Sequence, residues 1–359
     1  MRVLFKNRFD ALQVPGGDTV QMLNTKKALE KKGIIVDVCL DGKKDYRNYD
    51  IVHVFNLMRP FETTMAIWGA KKAKVPIVCS SIYWDFSEFN QVGRGSRIHS
   101  GLHKWLNEFQ VEKIKEFIRG KRFSNNVEFC NYLLSDFKTT LLDVSLFLPN
   151  SVKEGELVKS CILKSAKYIP VYNAVDKDKF NVLSYGNVRK DAIIAARIDP
   201  RKNIRNLVSA NLPINLDVYG GKTPLHNDYY ESVRNNKKEN VKLKGFIESE
   251  SLPNIYRKYR LHILPSWLET PGLSQLEAAA CGCNIVSTDR GSAEEYFGVM
   301  ATYCSPDSVE SIEKAVFNAL ENERTEKEMS EYVLDTYTWD KTAEQTFNAY
   351  EMVLNHYVS

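Results

Sequence analysis

Residues 261–283 read LHILPSWLETPGLSQLEAAACGC, and they contain the structural unit from which the chain is built. Leu261–Leu264 is a short apolar run of the kind that forms a buried strand. Pro271 and Gly272 then punctuate a tight loop, and a helix is predicted to begin near Leu273. Strand, loop and helix in this order are typical of a parallel sheet covered by helices.

The same unit recurs along the whole sequence. With 359 residues the chain exceeds what one hydrophobic core usually organises, so we expect two domains. We place the boundary at the polar connection that begins near Asn173, which predicts domains at 1–172 and 173–340. Strands are predicted at Val3–Phe5, Ile34–Leu40, Asp50–Phe55, Val75–Cys79, Leu146–Asn150, Tyr168–Asn173, Ala192–Ala196, Leu216–Tyr219, Val241–Leu243 and Asn284–Ser287.

Bulk composition excludes several classes of protein. The formal charge of +4 is too small for wholesale nucleic-acid binding. Seven cysteines without a CxxC pair fit reduced thiols better than disulfides or zinc. The N-terminus turns polar at once, and no run of about 18 apolar residues occurs. These features predict a cytoplasmic protein.

Two glutamates near residue 270 could bind the same ligand. A helix that starts near Leu273 would direct free N–H groups at an anion such as a diphosphate. Glu269 lies before that helix and Glu277 within it, and carboxylates accept hydrogen bonds from vicinal hydroxyls of a sugar or ribose. From these residues alone, a solvated glutamate beside a packed helix remains an equal alternative.

The stretch resembles the E-x7-E region of the retaining glycosyltransferases of family 4, which have the GT-B fold. Its surroundings match as well, from Leu264-Pro265-Ser266 before it to Gly291 and Glu294-Glu295 after it. The resemblance implies an α/β protein with two Rossmann-like doubly wound domains facing a central cleft. It implies an acceptor-binding first domain, a nucleotide-sugar-binding second domain, and a C-terminal helix at about 341–359 that packs back on the first.

Several further motifs resemble those that form the donor site in the family. Arg197 and Lys202 resemble the pair of cations that binds the donor diphosphate, and with Glu269 they are the expected catalytic residues. Both cations could instead be surface residues of a charged loop. The expected donor-binding residues are Gly16, Gly17, Arg197, Lys202, Gly220, Phe246, Ile247, Glu269, Thr270, Pro271, Gly272, Leu273, Ser274 and Glu277.

The resemblance implies a retaining hexosyltransferase. We expect it to be metal-independent, because the DxD-like Asp176-Lys177-Asp178 lies at the interdomain crossover and not beside a donor loop. Such an enzyme would move a hexose-type sugar from a UDP- or GDP-sugar to a glycan or lipid-linked saccharide, in capsule or O-antigen biosynthesis, without a cofactor. A non-catalytic nucleotide-sugar-binding protein and a GT-B glycoside phosphorylase remain alternatives. A dinucleotide dehydrogenase is disfavoured, because Gly16-Gly17 stands where GxGxxG would be needed.

The acceptor side departs from the family. Many relatives carry a histidine after the strand that is Val75–Cys79 here, where this chain has Ser80 to Asp85 instead. His53 lies inside an apolar strand and is interpreted as a core residue. The candidates for acceptor or sugar contact are Tyr83, Trp84, Asp85, Arg94, Arg97, His99 and His103.

Basic and aromatic residues alternate between Arg94 and Arg122. An amphipathic stretch of this kind can lie on an anionic bilayer, which would place the enzyme at the inner face of the cell membrane as a peripheral protein. An equal alternative is that the aromatic side chains pack on the first domain and the charges face solvent.

Overall fold

A computed structural model describes residues 1–41, 43–94, 108–119, 126–183, 189–223, 226–322 and 324–358. The chain divides into two compact units. Unit 1 comprises Met1–Asp85, Gly101–Asn173 and Trp339–Ser359, and unit 2 comprises Phe86–Ser100 and Ala174–Thr338. Each unit is built on its own sheet.

The sheet of unit 1 has five described strands, all parallel, in the order β2-β1-β3-β4-β5. They are β1 Arg2–Lys6, β2 Ile35–Val38, β3 Ile51–Phe55, β4 Ile77–Ser80 and β5 Leu146–Phe147. Strand β3 is buried along its whole length, which explains why its residues are apolar apart from His53. The helices of this part are α1 Gly17–Lys31, α2 Pro60–Ala73, α3 Glu108–Arg119, α4 Asn126–Leu134, α5 Phe137–Leu141 and α6 Val152–Leu157.

The sheet of unit 2 has six described strands, again parallel, in the order β11-β10-β9-β6-β7-β8. They are β6 Lys190–Ala195, β7 Leu216–Tyr219, β8 Val241–Gly245, β9 Tyr259–Leu264, β10 Asn284–Thr288 and β11 Ala301–Cys304. Because β6 and β9 are neighbours, the loops that follow them share one edge. The helices are α7 Ile204–Ser209, α8 Asn227–Asn236, α9 Leu252–Tyr256, α10 Leu273–Ala280, α11 Ala293–Phe297, α12 Val309–Glu321 and α13 Glu326–Thr336.

Two Rossmann-like parallel sheets confirm the predicted fold class, and three details differ from the sequence prediction. The run Tyr168–Asn173 forms only an isolated bridge to Phe147, because Pro170 lacks the N–H that a ladder requires. Strand β11 was not predicted. Phe86–Ser100 groups with unit 2, whereas the sequence placed all of 1–172 in the first domain. Single turns of helix occur at Tyr46–Asn48, Phe89–Gly93, Val158–Ile162, Pro200–Lys202 and Gly298–Met300.

The last helix, α14 Trp339–Val358, belongs to unit 1. Its Tyr350 hydroxyl lies 2.6 Å from His53 Nδ1, and Ser80 Oγ lies 2.9 Å from His53 Nε2. Burial lowers the pKa of His53 to about 3, so the imidazole is neutral. His53 is therefore a satisfied core residue, as interpreted from the sequence.

We expect Tyr350→Phe to destabilise the protein by about 1–3 kcal/mol, because it leaves a buried imidazole nitrogen without its partner. The measurement is chemical denaturation monitored by circular dichroism. Met352→Ala is the matched control, since Met352 lies on the same helix and its side chain is largely exposed. Equal stability of both variants would contradict a stabilising role for the Tyr350–His53 contact.

Candidate functional site

Lys202 and Glu269 form an ion pair at the carboxyl edge of the unit 2 sheet. Lys202 ends the helical turn that follows β6, and Glu269 lies in the loop that follows β9. The side chains are 25% and 7% exposed. The structure thus brings together two predicted catalytic residues that are 67 positions apart in sequence.

The turn that carries Lys202 is held by two residues that the sequence prediction missed. Asp199 is buried, and its carboxylate accepts hydrogen bonds from the backbone N–H of Arg201 (2.9 Å) and of Lys202 (3.3 Å). Asn203 adopts a left-handed conformation with φ of 53°. Its amide donates to the carbonyls of Pro265 (3.1 Å) and Pro306 (2.6 Å), which fastens the turn to the β9 loop. An Asp-Pro helix start is the local signal that could have revealed Asp199.

Arg197 is placed differently from Lys202. Its side chain is 51% exposed, and its Nε lies 3.9 Å from the Asp199 carboxylate. Such a loose contact leaves most of the guanidinium donors available to a ligand. Arg197 therefore supplies an accessible positive charge beside the buried ion pair.

The backbone of Glu269 is clamped against the loop that follows β10. Glu269 N–H donates to the carbonyl of Arg290 (3.4 Å), and Ser292 N–H donates to the carbonyl of Glu269 (2.9 Å). A β-carbon at Gly291 would lie 2.1 Å from that carbonyl oxygen, so only glycine allows the approach. The position of the Glu269 carboxylate thus depends on this glycine.

Helix α10 starts beside Glu269 without a side-chain cap. Gly272 precedes it with φ of 81°, and a β-carbon there would lie 3.1 Å from Glu269 Oε2. The first N–H groups of the helix and the positive end of its dipole suit an anion. Nearby, the hydroxyls of Ser266, Thr270 and Ser292 are buried and have no hydrogen-bond partner among the described residues. Groups of this kind can bind a ligand or water.

Glu277 lies in a different environment from Glu269. Burial raises its pKa to about 8, with a smaller opposing effect from Lys179. Glu277 in turn contributes to the raised pKa of Tyr256, whose buried hydroxyl has no partner among the described residues. The two glutamates of the motif therefore have separate neighbours, and Glu277 holds its proton more readily than an exposed glutamate.

Gly220 and Phe246 follow the neighbouring strands β7 and β8. Gly220 N–H donates to the carbonyl of Gly245 (2.9 Å), and a β-carbon at Gly220 would lie 2.1 Å from the carbonyl of Ala196. Phe246 is 72% exposed, and Ile247 is half-buried beside it. An exposed aromatic ring at this edge can stack on a flat ligand.

In unit 1, Gly16 and Gly17 stand at the start of α1. Arg8 and Asp18 form a buried ion pair of 2.9 Å below them. A β-carbon at Gly16 would lie 2.8 Å from Asp18 Oδ1, whereas one at Gly17 would meet no atom within 4 Å. The backbone at Gly17 is thus open to the approach of another molecule.

The acceptor candidates of unit 1 are arranged after β4. Tyr83 is 6% exposed and its ring stacks on Phe109 at 5.9 Å, so the hydrophobic core uses this ring. Trp84 is buried and Asp85 is exposed. Arg94, in unit 2, lies over the ring of Phe89 at 5.5 Å. Arg97, His99 and His103 lie outside the described residues.

The backbone turns sharply at Ile82, in the stretch after β4 where many relatives carry a histidine. Ile82 has φ of 44°, which is unusual for a β-branched residue. The buried Glu154 carboxylate accepts hydrogen bonds from Ser81 Oγ and from the N–H groups of Tyr83 (3.1 Å) and Asn150 (3.1 Å). Burial raises the pKa of Glu154 to about 7. These bonds hold the strained turn in place.

Within the described ranges, no three His, Cys, Asp or Glu residues are grouped to hold a metal ion. No helix in the same ranges is long and apolar enough to cross a bilayer.

The raised pKa of Glu277 predicts a pH-dependent stability. The folded protein binds a proton at Glu277 that the unfolded chain releases above its ordinary pKa of about 4.5, so this residue lowers stability as pH rises toward 8. We expect Glu277→Gln to raise the unfolding midpoint relative to the parent by more at about pH 8.5 than at about pH 5. Thermal unfolding across that range checks it, with the exposed Glu239→Gln as control. A pH-independent difference would contradict the assignment.

Part of the chain is similar to a known family of proteins. Residues 176–335 match the model of the glycosyl transferases group 1. The chain is 26% identical over 176 residues to O-antigen chain mannosyltransferase B of Escherichia coli. That alignment covers 45% of this chain and 46% of the relative, so it spans about half the length of each.

Solved structures resemble the whole chain. Sucrose-phosphate synthase from Thermosynechococcus elongatus superposes with a TM-score of 0.74 at 16% identity, over 99% of this chain and 100% of that one. Anabaena HepE, solved with UDP and glucose, superposes with a TM-score of 0.65 at 14% identity, over 98% and 100%. Residues 176–335 are therefore similar to the group 1 glycosyl transferases, and the chain has the GT-B fold, as the resemblance in sequence implied.

Proposed function

We propose that this protein is a retaining, metal-independent hexosyltransferase that uses a UDP- or GDP-sugar and a glycan or lipid-linked saccharide acceptor. The observation that carries the proposal is the Lys202–Glu269 ion pair beside the uncapped start of α10. The pair places a cation and a carboxylate together at the strand edge where α/β sheets bind ligands.

The cations suit the leaving group. As the bond from the sugar to the diphosphate breaks, negative charge develops on the phosphate oxygens. Arg197, Lys202 and the N–H groups that begin α10 can neutralise that charge, so the protein itself offers the positive charge that a metal ion would otherwise supply. Loss of activity on adding a chelator would contradict metal independence.

The carboxylate suits the transferred sugar. Glu269 can accept hydrogen bonds from sugar hydroxyls while the acceptor oxygen bonds to the anomeric carbon on the face that the phosphate leaves. The acceptor proton passes to a phosphate oxygen, so the step needs no separate base. Glu277 and Phe246 would hold the nucleotide, through ribose hydroxyls and the base respectively.

The family and its relatives support the pathway. A group 1 match and an O-antigen mannosyltransferase among the similar proteins favour polysaccharide assembly and a hexose as the transferred sugar. A glycoside phosphorylase would use the same donor site with inorganic phosphate as acceptor. An assay that compares saccharide acceptors with phosphate separates the two reactions.

We expect Glu269→Gln and Lys202→Met each to lower kcat/KM by at least about 100-fold, because each removes a charge aimed at the reacting groups. The donor is first identified by thermal shift with UDP-, GDP-, ADP- and CMP-sugars, since a bound donor raises the unfolding midpoint. The exposed Lys327→Met is the control for a lost lysine. Turnover by Glu269→Gln at the parent's rate would refute the proposed role.

We also propose that helix α3 contacts an anionic membrane surface, where lipid-linked acceptors would be met. Phe117 is 67% exposed and Ile114 is also exposed on this helix. Lys113 and Lys115 are half-buried on the same helix, so apolar and cationic groups occur together, although Lys115 also pairs with Glu112 at 2.5 Å. Lys113 also donates to the carbonyl of Ser135, which shows that part of this charge serves the fold.

We expect Phe117→Glu to reduce pelleting with phosphatidylglycerol vesicles several-fold, since it replaces an inserting ring with a charge that anionic lipid repels. Phe317→Glu on α12 is the matched control, because Phe317 is a similarly exposed phenylalanine in unit 2. Equal pelleting with phosphatidylcholine and phosphatidylglycerol would rule out the membrane contact.

A further inference from the structure

A short segment that follows β4 packs against the loops of the candidate donor site. Phe86 to Arg94 lies between two parts of unit 1 in sequence, yet it groups with unit 2. The resemblance to known glycosyltransferases is weakest here, and no motif covers the segment. We infer that Glu88 is a positioning residue for Glu269 that acts through Arg290, an inference that rests on the proposed transferase function.

Glu88 and Arg290 form a bidentate ion pair. The Glu88 carboxylate accepts hydrogen bonds from Arg290 Nε (2.9 Å) and from Arg290 Nη2 (3.0 Å), across 202 positions of sequence. Arg290 Nη1 donates to Asp289 at 2.6 Å. Paired, planar contacts of this kind fix orientation as well as distance. The guanidinium therefore cannot rotate freely while Glu88 is in place.

Backbone contacts join the loop that contains Arg290 to Glu269. The carbonyl of Arg290 accepts from Glu269 N–H, and the next two residues hold the carbonyl of Glu269 by the Ser292 hydrogen bond and the close approach of Gly291. The Arg290 loop is thus the surface on which the Glu269 backbone lies. A shift of that loop would carry the catalytic carboxylate with it.

The same segment also touches the loop that leads to Glu269 from the other side. A β-carbon at Gly93 would lie 2.5 Å from the ring of Trp267, which is buried. Trp267 N–H in turn donates to the carbonyl of Arg201, next to Lys202 (2.8 Å). Residues 86–94 therefore contact both loops whose side chains form the Lys202–Glu269 pair.

The Glu88–Arg290 pair is well suited to a positioning role. Both side chains are partly exposed, and exposed pairs contribute little to global stability. A small displacement of a catalytic group can nevertheless change a rate by one or two orders of magnitude. Loss of Glu88 should therefore affect turnover far more than folding.

The test compares Glu88→Gln, Glu88→Arg, Arg290→Glu and the double variant E88R/R290E. We expect each single variant to lower kcat about 10-fold or more with little change in the unfolding midpoint. The double variant should recover part of the loss, because it restores opposite charges at positions 88 and 290, although position 290 then no longer pairs with Asp289. Glu331→Gln, which removes an exposed partner of Lys327, is the control and should leave kcat unchanged.

A second readout does not depend on activity. Hydrogen–deuterium exchange of peptides that cover 266–272 and 289–292 should become faster in Glu88→Gln, since the Glu269 N–H loses its fixed acceptor. Unchanged exchange and unchanged kcat would overturn the positioning role. If the parent enzyme transfers no sugar, the proposed function fails, and if Glu269→Gln stays fully active, the proposed role of Glu269 fails. In either case the exchange result still decides whether Glu88 holds the loop.

Discussion

The candidate site depends on the adjacency of two parallel strands, β6 and β9, in the sheet of unit 2. Parallel neighbours end at the same edge, so the loop after each strand must share that edge with the other. The turn that holds Lys202 and the loop that holds Glu269 meet for this reason. The ion pair, the start of α10 and the hydrogen bonds of Asn203 all follow from it.

The site combines a rigid backbone with side chains of unequal freedom. Gly291 and Asn203 hold the two loops through close contact and a left-handed turn. Arg197, by contrast, keeps a half-exposed side chain. Under the proposed function, the fixed Glu269 carboxylate would orient the sugar, and the half-exposed Arg197 would meet the diphosphate.

The two glutamates of the motif show how different surroundings give residues of the same type different properties. Glu269 has a cationic partner at contact distance, whereas desolvation is the main influence on Glu277 and the opposing effect of Lys179 is smaller. The pKa of Glu277 consequently rises to about 8. One glutamate can thus serve as a fixed charge and the other as a proton-bearing group that binds hydroxyls, although they lie eight positions apart.

The sequence by itself determined the features that depend on local order. Apolar runs bounded by turn residues predicted most strands of both sheets, because backbone periodicity is a local property. The resemblance of the segments around Arg197, Lys202, Glu269 and Glu277 to family motifs implied a donor site, which stays a prediction. Tyr168–Asn173 was mispredicted as a strand, because Pro170 interrupts the run and leaves only an isolated bridge to Phe147.

Only the tertiary structure decided which distant groups meet. The Glu269–Gly291 clamp, the His53–Tyr350 contact and the Glu88–Arg290 pair join residues far apart in sequence. The assignment of Phe86–Ser100 to unit 2 likewise has no local signal. Such contacts depend on the order of the strands and on the packing of the whole chain. Neither can be predicted from a short segment of the sequence.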